Sequence, residues 1–280
     1  MRELNSFLIL FLSSIFISNA QDLQRNYKMI DTIVLSMNIY LPNDFENGDS
    51  YPGMVFFFGG GWKVGSTKQF HPHAEYFSSR GIVCFVADYR MKSRHGTTPF
   101  ESLKDAKSAI RYIRKNANEY KVDSNRIIAS GGSAGGHLAA ATALIENYNE
   151  KGEDLSVSCT PNALVLFNPV IDNGPGGNGF DRIGEFYKNF SPLHNVRKGA
   201  PPTIVFFGMN DKLIPVETMK YFKTIMERVG SRCDLFLYKN ESHGFFNYTH
   251  QMNYLDTVKE MDKFLGSLGY LVGAPTIEME

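Results

Sequence analysis

Five residues, Gly131-Gly132-Ser133-Ala134-Gly135, constrain this chain more than any other stretch, because they fit G-x-S-x-G where a short apolar strand turns into a helix. The strand is read over residues 126–130, and the helix over residues 134–145, whose small and apolar residues recur at helical spacing. So sharp a turn brings strand and helix into contact, which is why glycine stands on both sides of the serine. The Ser133 hydroxyl is then expected above the edge of a sheet, near the positive end of the helix that follows. Five residues alone recur by chance as a Gly/Ser turn; the flanking strand and helix are what set this instance apart.

A hydroxyl becomes a useful nucleophile only when a base takes its proton, and the chain offers seven histidines. His137 falls one helical turn beyond Ser133 and reads as a packed residue, while His194, in a polar segment before Pro201-Pro202, reads as surface. His243 lies in the polar loop Glu241-Ser242-His243-Gly244-Phe245, between a strand at residues 234–238 and a closing helix from about residue 251 to 265; His250 is the alternative. The imidazole needs a carboxylate to fix its tautomer and to stabilise the imidazolium. Asp211 follows the apolar residues 203–207 through Gly208-Met209-Asn210, and Asp172, just past the apolar residues 163–167, is the second candidate. Either aspartate could instead form a turn or cap a helix.

The remaining part is a place for negative charge. Phe58-Gly59-Gly60-Gly61-Trp62 ends an apolar strand at residues 53–57, and successive glycines let backbone N–H groups face a ligand with no Cβ in the way. Two such donors, with the N–H of Ala134, would meet the oxygen of a tetrahedral intermediate. Taken alone, three glycines make a flexible loop.

In this order the four features resemble the alpha/beta-hydrolase superfamily, within it the hormone-sensitive-lipase-like carboxylesterases and, more closely, the secreted acetyl-xylan and feruloyl esterases. The resemblance covers nearly all of the chain after residue 25 and takes in Ala87-Asp88-Tyr89-Arg90, Asp123-Ser124-Asn125-Arg126-Ile127, Phe190-Ser191-Pro192 and Gly208-Met209-Asn210-Asp211. It implies an α/β fold with a mostly parallel eight-stranded sheet, helices on both faces and a short lid-like insert. It also implies a chain order of nucleophile, acid and base that passes over His71, His73 and His95. Ser133 is then the nucleophile, Asp211 the acid and His243 the base, with Gly60, Gly61 and Ala134 as oxyanion donors. Phe58 stands where the lipase-like motif opens with histidine, and Gly132 where its elbow usually carries aspartate, which sets the chain apart from that branch in the narrow sense.

Residues 1–20 read as a signal peptide: Arg2, an apolar run over residues 7–17 too short to span a bilayer, and Ser18-Asn19-Ala20 before Gln21. Cleavage near Ala20 would make the protein secreted or periplasmic, and the absence of cysteine at position 21 argues against a lipoprotein anchor. About 260 residues remain, residues 21–280, enough for one large domain and too few for two comfortable ones. Apolar strands alternate with helical patterns, as in a parallel sheet covered on both faces, after early antiparallel strands between residues 27 and 41. With 29 basic and 29 acidic residues the chain has no charge footprint for nucleic acid or an anionic membrane, and the cluster Arg111, Arg114, Lys115 reads as a solvated helix face opposite Leu103, Ala106, Ile110 and Ile113. Cys84 reads as a core residue, and Cys159 and Cys233 could be paired or free. No histidine or cysteine spacing suggests a metal, and no cofactor is implied.

The glycine-rich stretch Asp172-Asn173-Gly174-Pro175-Gly176-Gly177-Asn178-Gly179 interrupts the alternation where such folds insert lids; it could equally be a surface loop. Phe58 and Trp62 beside the glycines, and Phe180, Phe186, Tyr187 and Phe190 behind the insert, are expected to crowd the pocket, with Trp62, Phe58 and Phe186 as substrate contacts. The resemblance implies a serine carboxylesterase acting on small acyl groups, acetyl and feruloyl, carried on carbohydrate. A serine peptidase or arylformamidase shares the constellation, and a silent binding protein on the same fold is a third class, against which the retained Ser133, Asp211 and His243 argue.

Overall fold

The computed structural model describes residues 23–48 and 50–277; the expected signal segment, residues 1–20, lies outside the described residues. Eight strands form one sheet: β1 (Leu23–Ile30), β2 (Ile33–Tyr40), β3 (Tyr51–Phe57), β4 (Val83–Ala87), β5 (Val122–Gly132), β6 (Ala163–Phe167), β7 (Thr203–Gly208) and β8 (Cys233–Tyr238). Their order is β1-β2-β4-β3-β5-β6-β7-β8. The pairings of β2 with β1 and with β4 are antiparallel, and every pairing from β4 to β8 is parallel. Every residue of β3, β4, β6 and β7 is buried, as the continuous apolar runs require of parallel strands covered on both faces. The opening hairpin begins at Leu23, earlier than the apolar pattern suggests, because the outer strand is largely exposed and carries polar residues.

The helices are α1 (His71–Ser79), α2 (Lys92–His95), α3 (Pro99–Lys115), α4 (Ala134–Leu144), α5 (Phe180–Ile183), α6 (Tyr187–Phe190), α7 (Val216–Arg228) and α8 (Gln251–Ser267). Thr98 and Glu101 close a capping box ahead of α3, with Pro99 in its first turn, and the stripe Leu103, Ala106, Ile110, Ile113 is buried as expected. Of the basic cluster read as a solvated face, Lys115 is exposed but the two arginines are not part of such a face. Arg111 is 6% exposed and binds the Val157 carbonyl, Glu153 and Asn149, while Arg114 donates to the carbonyls of Ser158 and Thr160. They clamp the loop between α4 and β6, whose carbonyl groups have no strand partner and take charged donors instead. Among the described residues no helix is long and apolar enough to cross a membrane, and Cys84, Cys159 and Cys233 are free thiols.

The sheet sets up the site because its connections reverse at β3: the chain leaves β3 for β4 on one side and returns to β5 on the other. Such a reversal opens a crevice beyond the carboxyl ends of the strands, and the loops after β3, β5, β7 and β8 all end there.

Two histidines are sealed in this core. His73 has no exposure, sits among Phe56, Phe70, Phe167 and Tyr254, and neither ring nitrogen has a protein partner; burial pulls its pKa down to about 3. Burial lowers that of His137 to about 4, against the opposing pull of the Phe190 carbonyl. The unfolded chain takes up these protons near the ordinary histidine value of 6.5, the folded chain only near 4 and 3, so stability falls as pH drops below 6.5. Each ring is expected to cost about 2 kcal/mol at pH 5 relative to pH 7. Urea midpoints at the two values check this, with a shallower pH slope in His73→Leu; equal midpoints for the parent chain would contradict it.

Candidate active site

Ser133 stands between β5 and α4 with φ 54 and ψ −117, a conformation that non-glycine residues rarely hold. The surroundings enforce it. The Ser133 N–H donates to the Phe167 carbonyl at 2.9 Å, and its own carbonyl accepts from His137 and Val170 at 3.0 and 3.1 Å. Neighbouring backbone leaves no room for side chains: a Cβ on Gly135 would lie 1.9 Å from the Phe57 carbonyl oxygen, and one on Gly131 2.4 Å from the Gly135 backbone. These are the contacts that demand the G-x-S-x-G pattern.

The structure brings the three expected side chains into one hydrogen-bonded chain. His243 Nε2 lies 2.8 Å from Ser133 Oγ, and His243 Nδ1 lies 2.7 Å from Asp211 Oδ2. The Asp211 side chain has no exposure; Oδ2 also accepts from Asn168 Nδ2 at 2.7 Å, and Oδ1 from the N–H groups of Leu213 and Ile214. Burial works to raise the Asp211 pKa, yet the hydrogen bond and charge of His243, with the Leu213 N–H and the Asn168 amide, hold it below the usual carboxylate value. Asp172 is elsewhere: its Oδ1 accepts from the Gly174 N–H at 2.9 Å and lies 3.9 Å from His194 Nδ1. His194 and His250 are exposed.

The glycine loop closes the other side. A Cβ on Gly59 would stand 3.3 Å from that of Ser133, and Gly60 (φ 120), Gly61 (φ 64) and Trp62 (φ 56) continue in the left-handed region. The Gly59 N–H donates to Gln69 Oε1 at 2.7 Å; Gln69 Nε2 donates to Asn247 Oδ1 at 2.8 Å, and Asn247 Nδ2 to the Gly244 carbonyl at 2.7 Å. Gly60, Gly61, Ser133 and His243 share the walls of a cavity of about 540 Å³, and Ala134 opens α4 beside them.

None of Trp62, Phe58 and Phe186, the expected substrate contacts, lines this cavity, although Trp62 lines a smaller one of about 170 Å³ beside it. Phe58 stacks on Tyr89 at 4.2 Å, and Trp62 packs edge-on against His137 at 5.1 Å, 1% exposed. Phe186 sits outside against Phe100, 62% exposed. Rings bury more area against one another than against an open cleft. The cavity is instead walled by glycine backbone and by Lys63, Arg182, Leu213 and Phe246.

Sequence reasoning missed four polar residues here: Gln69, Asn168, Arg182 and Asn247. Asn168 carried a usable signal, since it directly follows a strand whose neighbours supply the acid and the nucleophile. Arg182, in the insert, donates from Nη1 to the Gly61 carbonyl at 2.5 Å and lies 5.2 Å over the Trp62 ring. Among the described residues no group of three or more His, Cys, Asp and Glu side chains is placed to hold a metal ion.

Fold and site together define the class of alpha/beta-hydrolase esterases, and the comparisons agree. The BD-FAE family model matches residues 37–175 and the prolyl oligopeptidase family model residues 174–267. Thermogutta terrifontis esterase 2, solved as its tabun phosphoramylated form, is 42% identical over 90% of this chain and 96% of that one, with a TM-score of 0.87. The acetylxylan esterase of Xylanibacter ruminicola is 27% identical over 69% of this chain and 42% of its own. Esterase LipC of Mycobacterium tuberculosis is 29% identical over 69% and 53%. The chain spans about half the length of the curated relatives it matches. It belongs to the alpha/beta-hydrolase carboxylesterases.

Proposed function

We propose that the protein is a serine carboxylesterase that hydrolyses short-acyl esters, acetyl above all and feruloyl with it, on carbohydrate. The observation that carries the reading is the hydrogen-bonded chain Ser133–His243–Asp211 on the wall of an open cavity. His243 Nε2 takes the proton from Ser133 Oγ as it attacks the ester carbonyl, and Nδ1–H donates to Asp211, which keeps the tautomer and stabilises the imidazolium. The N–H groups of Gly60, Gly61 and Ala134 receive the oxyanion. The protonated His243 then delivers its proton to the leaving alcohol, and water assisted by the neutral ring releases the acid from Ser133.

Support for a small acyl group comes from the Thermogutta esterase, solved with propionate and with butyrate bound. Support for a carbohydrate alcohol comes from the Xylanibacter relative, named an acetylxylan esterase. Residues 1–20, outside the described residues, are read as an export signal that leaves residues 21–280 as the secreted or periplasmic catalytic domain.

The test is a series of nitrophenyl acetate, butyrate and octanoate, with acetylated xylan and methyl ferulate alongside. We expect kcat/KM to fall by about tenfold from butyrate to octanoate, because methylenes beyond a four-carbon acyl chain left outside the cavity gain nothing from burial and, forced against its walls, cost about 1–3 kcal/mol. Octanoate hydrolysed faster than acetate would overturn the short-acyl reading. The match of residues 174–267 to the prolyl oligopeptidase family favours a second reading, a peptidase. An acyl nitroanilide turned over as fast as the ester of the same acid would establish it.

A further inference from the structure

We propose that the mouth of the site selects esters carrying a carboxylate, received by Arg182 and Lys63; the proposal rests on the esterase reading above. The chain as a whole is neutral, with 29 basic and 29 acidic residues, but its charges are not evenly spread around Ser133. Lys63 and Arg182 line the 540 Å³ cavity, and no aspartate or glutamate does. A smaller cavity of about 170 Å³ shares Gly61, Lys63 and Arg182 with it and adds Lys92, again with no acidic residue in its walls. A third, of about 580 Å³, shares Gly59, Gly60, Gln69 and Asn247 and adds Lys68 as its one charged side chain.

Arg182 is held in place rather than waving in solvent. Nη1 is fixed by the Gly61 carbonyl at 2.5 Å, Nε pairs with Asp181 at 3.2 Å, and the guanidinium lies over Trp62. Nη2 has no hydrogen-bond partner among the described residues, and Arg182 lines the cavity, so the guanidinium keeps donor capacity for a ligand there. The Asp181 side chain is 69% exposed, where water screens it. Lys63 and Lys92 form no ion pair among the described residues. The side chain of Asp211, the acidic residue bonded to His243, has no exposure, and both its oxygens are occupied by His243, Asn168, Leu213 and Ile214.

The result is a positive field at the mouth, focused by low-dielectric walls. A carboxylate suits it: the free edge of a planar guanidinium offers directed donors, and Lys63 adds a mobile point charge. The carboxylate could sit on the acyl part, as in hemiesters of dicarboxylic acids, or on the alcohol part, as in acetylated uronic acids.

Two substrate pairs separate these sources. Nitrophenyl hydrogen glutarate against nitrophenyl valerate tests the acyl side, and 3-acetoxybenzoate against 3-acetoxybenzamide tests the alcohol side. At low ionic strength the anionic member of at least one pair should have the higher kcat/KM, by about tenfold, and the ratio should shrink several-fold in about 0.5 M NaCl. Arg182→Gln and Lys63→Glu should each lower the same ratio. If the neutral member is hydrolysed as well or better in both pairs, the proposal fails while the esterase reading stands. If neither member of any pair is hydrolysed, both fail. A preference that persists unchanged in both variants would overturn the assignment to Arg182 and Lys63.

Discussion

Replacing Ser133 by alanine is expected to lower kcat by about 10⁴ or more and leave the fold intact. The first half follows from geometry: Ser133 Oγ is the hydroxyl bonded to His243 Nε2, and without it no acyl-enzyme forms. The second half follows from the backbone, since the bonds that hold the elbow run through the Ser133 N–H and carbonyl and survive the change. Esterase assays with a circular dichroism melt check both. Paraoxon should phosphorylate the parent chain at Ser133 and leave the alanine variant unlabelled; a folded variant that loses less than tenfold would sink the assignment.

Asp211→Asn is the second large effect, with kcat expected to fall by about 10⁴. An asparagine presented to His243 Nδ1 can place its NH₂ there, forcing the wrong tautomer and leaving Nε2 protonated against the serine. The structure makes the loss harder to escape. Asp211 Oδ1 accepts from two backbone N–H groups and Oδ2 from Asn168, so with Asn168 oriented as it is an amide in either orientation meets at least one donor with a donor. Asp172→Asn is expected to change turnover less than threefold, because Asp172 bonds Gly174 within the insert. Parallel kinetics on the two variants separate the candidates, and the reverse pattern would move the acid to the loop after β6.

The Ser133 elbow, the Asp211 loop and the His243 loop were legible because each is a local pattern with a local cause: a strand, a turn with no space for a Cβ, and a polar residue at the strand end. Side-chain direction was not legible. Trp62 directly follows Gly60 and Gly61 in sequence, but three successive positive φ angles from Gly60 to Trp62 turn its ring into the core beside His137. No periodicity announces such a turn. Arg111 and Arg114 have the spacing of a solvated face, and what draws them off it is a set of carbonyl groups more than 40 residues downstream. Arg182 escaped notice for the same reason: its partner, the Gly61 carbonyl, is remote in sequence.

The amide chain from Gly59 through Gln69 and Asn247 to Gly244 begins at a backbone N–H and ends at a backbone carbonyl. Both ends are chemically fixed, so neither amide can flip without setting like against like. The chain therefore has a donor-to-acceptor polarity, and it ties the two loops together. It consumes the Gly59 N–H, which is therefore not free to face a ligand in the cavity. It also joins the loop that follows β3 to the loop that carries His243, so the base and the glycine loop share one frame of reference although 178 residues separate the two amides. A displacement of either loop drags the other, and the site has fewer independent ways to fall out of alignment than its scattered sequence suggests.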